Sequence, residues 1–516
     1  MDTLEFYGGV NEIGGNKIKL NLDATSLLLD FGMSFSEAGK YFADFSNPRK
    51  GNGLEDYFEL GLLPRIKGIY REDYLRHKGH PFDEKPAVDG LLLSHAHADH
   101  ADYIGFLRED IPLYMSEISK LIFEVLDDIG NQSKEILVYK PQFKYYRNGE
   151  KYSKVTTRQE APHKRDIRIL KPYEVENIGN LEVQLAPVDH SLPGAAAYFI
   201  KGKENGKKII YTGDLRFHGR NKKDSFDFLE KAIEFSPEIM VCEGTRIDSA
   251  ENLKDDKFKY EEEIEDSAYE LINEYNGLVI VNFPLRDLDR LITFHNLAKR
   301  TDRTLLITLK QAYMLNHLEK HLKNNIYPTI KDKHIGVHIP RRGNGAYPFD
   351  SYGLFKEDLK DKNEESNWRH SDKITAKLDY LYKWQKDFIY DDNAVNSKDI
   401  HENEEEYIIR LDNYSFMDLI DIKPTDAIYI HSVTDPFSDE MELDYRITKN
   451  WMSHFNIKIF NSFHVSGHAR GPELLNMIRE IKPKKLYPVH TEEKNLKYFD
   501  VLEKDGIEVI HPEIKL

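Results

Sequence analysis

The sequence has one cysteine, Cys242, among its 516 residues. A single cysteine excludes an internal disulfide and a zinc site built from cysteines, so metal binding would depend on histidine and carboxylate side chains. Apolar runs near the ~20 residues that span a bilayer are also absent. The first ten residues, MDTLEFYGGV, include acidic side chains, which are foreign to a secretory signal. These absences predict a cytoplasmic protein with no membrane partner.

Basic residues are in deficit. The 72 lysines and arginines stand against 89 acidic residues, which gives a formal net charge of −17 at pH 7. This balance argues against a protein that coats nucleic acid through a general basic surface. It leaves a nuclease open, because bound metal ions can hold phosphate locally in a protein that is acidic overall.

The pattern of apolar segments divides the chain into three parts. In residues 1–245, short apolar segments separated by glycine predict strands with helices between them, and several of these strands end in an acidic residue or histidine. Polar residues at strand ends predict a sheet sandwich with its chemistry along one edge. Residues 246–455 alternate helix and strand patterns, which predicts an α/β domain, and the charge-rich stretch 327–411 predicts an insertion of solvated helices and loops. Strand patterns return in residues 456–516.

Three histidines and an aspartate occupy six residues directly after an apolar segment, in LLLSHAHADH at residues 91–100. Imidazole and carboxylate are zinc ligands, and four of them exceed what one zinc ion open to substrate takes from a single segment, so two adjacent ions are indicated. Further histidines or aspartates follow other predicted strands, where each alone is compatible with an ordinary turn. Together they complete a candidate set of seven: His95, His97, Asp99, His100, His190, Asp214 and His490.

The order of these residues resembles the metallo-β-lactamase superfamily, and Asp30 in LLLDFG occupies the position of that family's structural aspartate. The segments MVCEGTR, FHVSGHA and YPVHTE resemble the three additional motifs of the β-CASP nucleases, and FYGGVNEIGGNKI is similar to the start of the ribonuclease J enzymes. The resemblance extends from Phe6 to Glu492. It implies an α/β fold in which an αββα metallo-β-lactamase sandwich, residues 1–245 and 456–516, carries an inserted α/β β-CASP domain at 246–455.

The resemblance also implies roles for individual residues. It implies one zinc ion on His95, His97 and His190 and a second on Asp99, His100 and His490, with Asp214 between them; Mn²⁺ is an alternative to Zn²⁺. The ions would activate a water for in-line attack on phosphorus. The catalytic residues that it implies are Asp99, Glu243 and His468, where Glu243 keeps the imidazole protonated to serve the leaving O3′. His464, Ser466 and Gly467 are candidate phosphate binders, with an ordinary turn as the alternative.

A histidine at the last β-CASP motif, here His490, accompanies enzymes that act on RNA. The resemblance therefore implies single-stranded RNA as substrate and a two-metal 5′–3′ exoribonuclease, with endonuclease cleavage also considered, in RNA processing or decay. Two other functions stay open: hydrolysis of small esters or thioesters on the same fold, and RNA binding by a catalytically silent member. A homodimer is a further candidate. The motif EGTR departs from the Glu-Ser-Thr that is usual in ribonuclease J.

Overall fold

The computed structural model describes residues 2–43, 46–130, 134–148, 151–155, 162–247, 257–323, 326–341, 383–389, 392–434, 436 and 439–515. The chain divides into two compact units. The first unit comprises Met1–Asp255 and Gly467–Leu516, and the second comprises Asp256–Ser466. The domain limits predicted at residues 246 and 455 fall shortly before these divisions and stay predictions.

Two β-sheets form the centre of the first unit. In sheet order, the first consists of β1 (Thr3–Gly8), β2 (Lys17–Leu22), β3 (Thr25–Phe31), β4 (Gly90–Leu92), β5 (Leu113–Met115) and β10 (Ile167–Ile169). The second consists of β11 (Glu176–Ile178), β12 (Leu181–Pro187), β13 (Ala196–Gly202), β14 (Lys208–Tyr211), β15 (Ile239–Glu243), β23 (Lys485–Val489) and β24 (Glu508–Val509). Two short ladders pair β6 (Val138–Tyr139) with β9 (His163–Lys164) and β7 (Lys144–Asn148) with β8 (Lys151–Val155).

The two sheets pack face to face, and helices cover their outer faces. The helices of this unit are α1 (Phe35–Gly39), α2 (Glu55–Glu59), α3 (Glu72–His77), α4 (Ala98–Ala101), α5 (Glu117–Ile129), α6 (Lys222–Phe235) and α14 (Gly471–Ile481). Side chains alternate along a strand. Leu27 and Leu29 therefore join the core between the sheets, whereas Leu28 packs in the core that includes Ile122 of α5. On the second sheet, Phe199 packs against α6 and α14 in the same way. These layers confirm the predicted αββα sandwich.

A parallel sheet forms the centre of the second unit. In sheet order, its strands are β19 (Ala394–Asn396), β18 (Ile335–Ile339), β17 (Thr304–Ile307), β20 (Tyr407–Arg410), β16 (Leu278–Asn282), β21 (Ala427–His431) and β22 (Lys458–Phe460). The helices are α7 (Glu261–Ile272), α8 (Leu288–Arg300), α9 (Leu309–His321), α10 (Lys386–Ile389), α11 (Ser397–Glu402), α12 (Asp418–Ile422) and α13 (Asp439–His454). Parallel strands are buried on both faces, which explains near-continuous apolar runs such as LVIV and AIYI. This is the predicted α/β fold. None of the described helices combines the length and apolarity that crossing a bilayer requires.

The predicted insertion at 327–411 is wrong at both of its ends. Strands β18 and β19 and strand β20 lie inside this range and pair within the seven-stranded sheet. The error has a physical cause, because strands of three to five residues are flanked by long charged runs such as HENEEE, which dominate any averaged pattern. Residues 342–382 and 390–391, the middle of the predicted insertion, lie outside the described residues.

Candidate metal centre

The ends of five strands in the first unit bring polar side chains to one edge. Strands β14, β15 and β23 run parallel, with Tyr211 paired to Val241 and Val241 to Tyr487, so their carboxyl ends lie side by side. Asp214 follows the first of these strands and His490 follows the last. The segment 93–100 follows β4, and His190 follows β12. Strand pairing therefore explains why side chains far apart in sequence meet here.

The seven candidate ligands converge in this region. Groups whose ligand atoms all lie within 4.8 Å of one another are His95, His97 and His190; His95, His100 and Asp214; Asp99, His100 and His490; and Asp214, Glu243, His468 and His490. Asp214 is common to two of these groups. Its Oδ2 lies 3.7 Å from Nε2 of His95, 3.1 Å from Nε2 of His100 and 3.6 Å from Nε2 of His490. The structure thus brings all seven residues together, with Asp214 in the middle.

The chemistry of this set fits divalent cations. Among the described residues, Oδ1 of Asp214 is buried with no hydrogen-bond partner, and no lysine or arginine pairs with Asp99 or Asp214. Buried carboxylates without a counter-ion are costly unless a cation compensates them. Burial and neighbouring imidazoles lower the pKa of His95 well below its usual value, so its ring is neutral and can offer a lone pair. Nitrogen and oxygen ligands of this kind suit zinc, and oxygen-rich mixtures suit manganese.

Asp30 fixes the orientation of one candidate ligand from behind. Its Oδ2 accepts hydrogen bonds from the Tyr211 hydroxyl at 2.5 Å and the Ser94 hydroxyl at 2.7 Å, and lies 2.7 Å from Nδ1 of His100. A proton on Nδ1 of His100 leaves Nε2 with its lone pair directed into the cluster. Asp30 is fully buried and adopts a φ of 57°, a left-handed conformation that non-glycine residues rarely take. Its hydrogen bonds compensate a strain of about 1 to 3 kcal/mol.

Two further ligands are oriented through Nδ1 by groups for which the sequence analysis predicted no such role. Nδ1 of His190 lies 2.5 Å from the Gly467 carbonyl and donates to it. Nδ1 of His490 lies 2.8 Å from the Thr245 hydroxyl, whose oxygen is also 3.3 Å from the His490 carbonyl. The hydroxyl can donate to that carbonyl while it accepts from Nδ1, which leaves Nε2 of His490 deprotonated. EGTR departs from Glu-Ser-Thr at Gly244 and keeps the threonine at Thr245, so the signal at Thr245 was agreement with the motif, and its meaning required the structure.

Glu243 and His468 form a hydrogen-bonded pair beside the candidate ligands, in which the Glu243 side chain is 2% exposed and the His468 side chain is 20% exposed. Oε2 of Glu243 lies 2.9 Å from Nδ1 of His468, and Oε1 accepts the backbone N–H of Leu215 at 2.7 Å. Burial alone would lower the pKa of His468, but the carboxylates of Glu243 and Asp214 outweigh it and raise the pKa to about 9. The pair therefore presents a protonated imidazole next to Asp214, whose Oδ2 is 3.9 Å from Nδ1 of His468.

Close backbone packing holds the segment that carries Asp99. A Cβ atom at Gly32 would lie 1.7 Å from the carbonyl oxygen of Asp99, and one at Gly14 would lie 2.7 Å from Oδ2 of the same residue. The N-terminal loop also contacts the opposite end of the site, because the His490 N–H donates to the Gly9 carbonyl at 2.7 Å. Glycine is needed at positions 14 and 32 because a side chain there would displace Asp99.

The three candidate phosphate binders do not share one environment. Gly467 belongs to the first unit, where a Cβ atom would lie 2.7 Å from Oγ of Ser191. His464 and Ser466 belong to the second unit, and Nε2 of His464 is hydrogen-bonded to the Thr434 hydroxyl at 3.1 Å. Their role in substrate binding stays a prediction.

Comparisons with known proteins agree with this architecture. Residues 67–232 match the beta-lactamase superfamily domain, and residues 454–512 match the Zn-dependent metallo-hydrolase RNA specificity domain. Ribonuclease J of Helicobacter pylori is 22% identical over 493 residues, which are 94% of this chain and 55% of that protein. An RNase J-like protein of Methanocaldococcus jannaschii is 25% identical over 217 residues, 42% of this chain and 37% of that protein.

The chain spans about half the length of the Helicobacter pylori relative. Among solved structures, a protein of unknown function from Enterococcus faecalis is 21% identical and superposes with a TM-score of 0.67, covering 100% of this chain and 99% of that one. At this identity the likeness establishes the fold alone.

Proposed function

We propose that the chain is a member of the metallo-β-lactamase superfamily, in its β-CASP group, and that it is a two-metal phosphodiesterase that acts on RNA. One observation carries the proposal: seven nitrogen and oxygen ligands from distant segments meet at one sheet edge, with the Glu243–His468 pair directly beside them. A small-ester hydrolase has no need of that pair. The name of the matched RNA specificity domain, which covers His464, His468 and His490, supports RNA as the substrate class.

Two divalent cations would be held by the seven ligands, with Asp214 shared between the two positions. When bound, they would supply Lewis acidity toward the phosphodiester and acidify the attacking water. The protein's own contribution is to fix the ligands in their tautomers. His100, His190 and His490 each have Nδ1 engaged by a neighbouring oxygen, so each offers Nε2.

Glu243 and His468 act on the leaving group in this proposal. Breaking the P–O3′ bond leaves an alkoxide that needs a proton. The carboxylate of Glu243 accepts from Nδ1 of His468 and keeps the ring positively charged, so Nε2–H can donate to O3′. Proton donation by a positioned side chain contributes about 10²- to 10⁴-fold in rate.

We further propose zinc as the resident metal, with manganese as the alternative, and single-stranded RNA as the substrate of a 5′–3′ exonuclease that also has endonuclease activity. A cytoplasmic role in RNA processing or decay follows from this assignment. The relatives named ribonuclease J support it.

The test uses single-stranded RNA labelled at its 3′ end, prepared with 5′-hydroxyl, 5′-monophosphate or 5′-triphosphate termini, and protein loaded with Zn²⁺ or Mn²⁺. We expect cleavage that is fastest on the monophosphate, is abolished in Asp99→Ala and His97→Ala, and falls by about 10²-fold or more in His468→Gln with its metal content retained. His321→Ala, a histidine of α9 in the second unit, is the matched control and should match the parent protein. Full activity of Asp99→Ala, or turnover of a thioester without RNA cleavage, would refute the proposal.

A further inference from the structure

Arg290 is a buried arginine of the second unit for which the proposed reaction gives no role. It lies in the first turn of α8 and is 1% exposed. Its Nε and Nη2 donate to the two carboxylate oxygens of Glu261 at 2.7 and 3.1 Å, and Glu261 is equally buried. A bidentate pair of this kind fixes the plane of the guanidinium group. The direction of the remaining N–H groups is therefore fixed as well.

Those remaining N–H groups hold two chain segments that follow adjacent strands. Nη1 of Arg290 donates to the Ser432 carbonyl at 2.9 Å and to the Phe463 carbonyl at 2.8 Å, and it also contacts the Ser432 hydroxyl. The Ser432 hydroxyl in turn donates to the Phe463 carbonyl at 2.6 Å. Ser432 directly follows β21, and Phe463 follows β22. Arg290 thus joins the two strand ends through backbone oxygens.

Phe463 directly precedes the segment 464–466, which contains the candidate phosphate binders His464 and Ser466. We infer that Arg290, oriented by Glu261, is a positioning residue that fixes the Phe463 carbonyl and with it the backbone of residues 464–466 for binding an RNA phosphate. This inference rests on the proposed function, because it assigns RNA as the ligand of the anchored segment.

Arginine suits this position and lysine does not. The guanidinium group offers five N–H donors spread over a rigid plane. An ammonium group has three donors on one nitrogen, which cannot reach both carboxylate oxygens of Glu261 and the two carbonyls together. Arg290→Lys therefore keeps the buried charge but loses the hydrogen bond that Nη1 donates to the Phe463 carbonyl. Arg303 provides a matched control, because it is a buried arginine of the same unit, 5% exposed, that donates to the Gly277 carbonyl at 2.9 Å. Its other hydrogen bonds go to the carbonyls of Tyr275 and Tyr407.

The first measurement is hydrogen–deuterium exchange by mass spectrometry on metal-free protein without RNA. We expect the amides of residues 463–467 to exchange about tenfold faster in Arg290→Lys than in the parent chain, and to be unchanged in Arg303→Lys. Equal exchange in the parent and Arg290→Lys, or equal acceleration in both lysine variants, would overturn the inference. This readout does not depend on catalysis. If the parent chain cleaves no RNA, the proposed function is refuted. The exchange rates of residues 463–467 still decide whether Arg290 positions the segment.

The second measurement is steady-state cleavage of a 5′-monophosphorylated single-stranded RNA. We expect Arg290→Lys to raise KM about tenfold with kcat within about threefold, and Arg303→Lys to leave both unchanged. Should Arg290→Lys fail to fold, Ser432→Ala removes the hydroxyl that donates to Phe463 and contacts Arg290, and we expect it to raise KM about threefold. Faster exchange with an unchanged KM in the folded variant would contradict a role in RNA binding.

Discussion

Replacing Thr245 with valine tests whether its hydroxyl fixes the tautomer of His490, the last candidate metal ligand in the sequence. Valine has nearly the shape of threonine but lacks the hydroxyl that lies 2.8 Å from Nδ1 of His490. His490 is 1% exposed, so its Nδ1–H would be left unsatisfied, or the proton would move to Nε2 and remove the ligand lone pair. An unsatisfied buried donor costs about 1 to 3 kcal/mol. At about 1.4 kcal/mol per factor of ten, the expected loss is roughly 5- to 150-fold in metal affinity.

The assay is competition for Zn²⁺ between the metal-free protein and a chromophoric chelator. His490 groups with Asp99 and His100 and is absent from the group of His95, His97 and His190. Thr245→Val should therefore weaken one of two binding events and spare the other, while Thr245→Ser should bind like the parent protein.

Thr448→Val is the control for loss of a buried hydroxyl, because Thr448 belongs to the second unit and donates to Oδ1 of Asn413 at 2.8 Å. Two unchanged affinities in Thr245→Val would refute the argument. The same loss of Zn²⁺ affinity in Thr448→Val would show that general destabilisation, and not the tautomer of His490, weakens metal binding.

Three other predictions concern stability and packing. Burial and neighbouring carboxylates raise the pKa of Asp418 to about 7. The folded protein therefore keeps a proton that the unfolded chain releases near pH 4. The free energy of unfolding consequently falls as the pH rises from about 4 to 7. Asp418→Asn should remove this loss: in urea unfolding, we expect the free energy of unfolding to rise by on the order of 2 to 4 kcal/mol at pH 8 and to be unchanged at pH 4. A rise at both pH values would contradict the prediction. Gly32→Ala should weaken Zn²⁺ binding about tenfold or more by displacing Asp99, whereas Gly39→Ala, whose Cβ meets no described atom within 4 Å, should not. Zn²⁺ at a hundred times its Kd should stabilise the parent protein by about 2.7 kcal/mol in thermal unfolding, reversed by chelation, and an unchanged Tm would count against a metal centre.

The sandwich and the convergence of the seven candidate ligands could be predicted from sequence for a simple reason. Four of the ligands sit in one segment, and the others end apolar strands, so the pattern is local even though the site is not. Hydrophobic alternation likewise specifies which face of a strand is buried, as Leu27 and Leu28 illustrate.

The supporting groups could not be predicted, because their roles arise only from contacts between distant segments. Thr245 meets His490 across 245 positions, and Tyr211 meets Asp30 across 181. Gly467 was expected to present its N–H to phosphate, whereas the structure shows its carbonyl against His190. In the second unit, nothing in the sequence indicated the buried bidentate contact of Arg290 with Glu261, since a single arginine in a helix pattern is usually solvated.

The position of His490 in the chain has a consequence for biosynthesis. The candidate ligands Asp214 and His490 are separated by 275 residues, so the candidate set stays incomplete until that interval has been synthesised. At about 5 to 20 residues per second, translation of that interval takes roughly 15 to 55 seconds. During this time the nascent chain cannot complete the two proposed ion positions. A two-metal nuclease of the proposed kind would therefore stay inert beside the messenger that encodes it until His490 has been added.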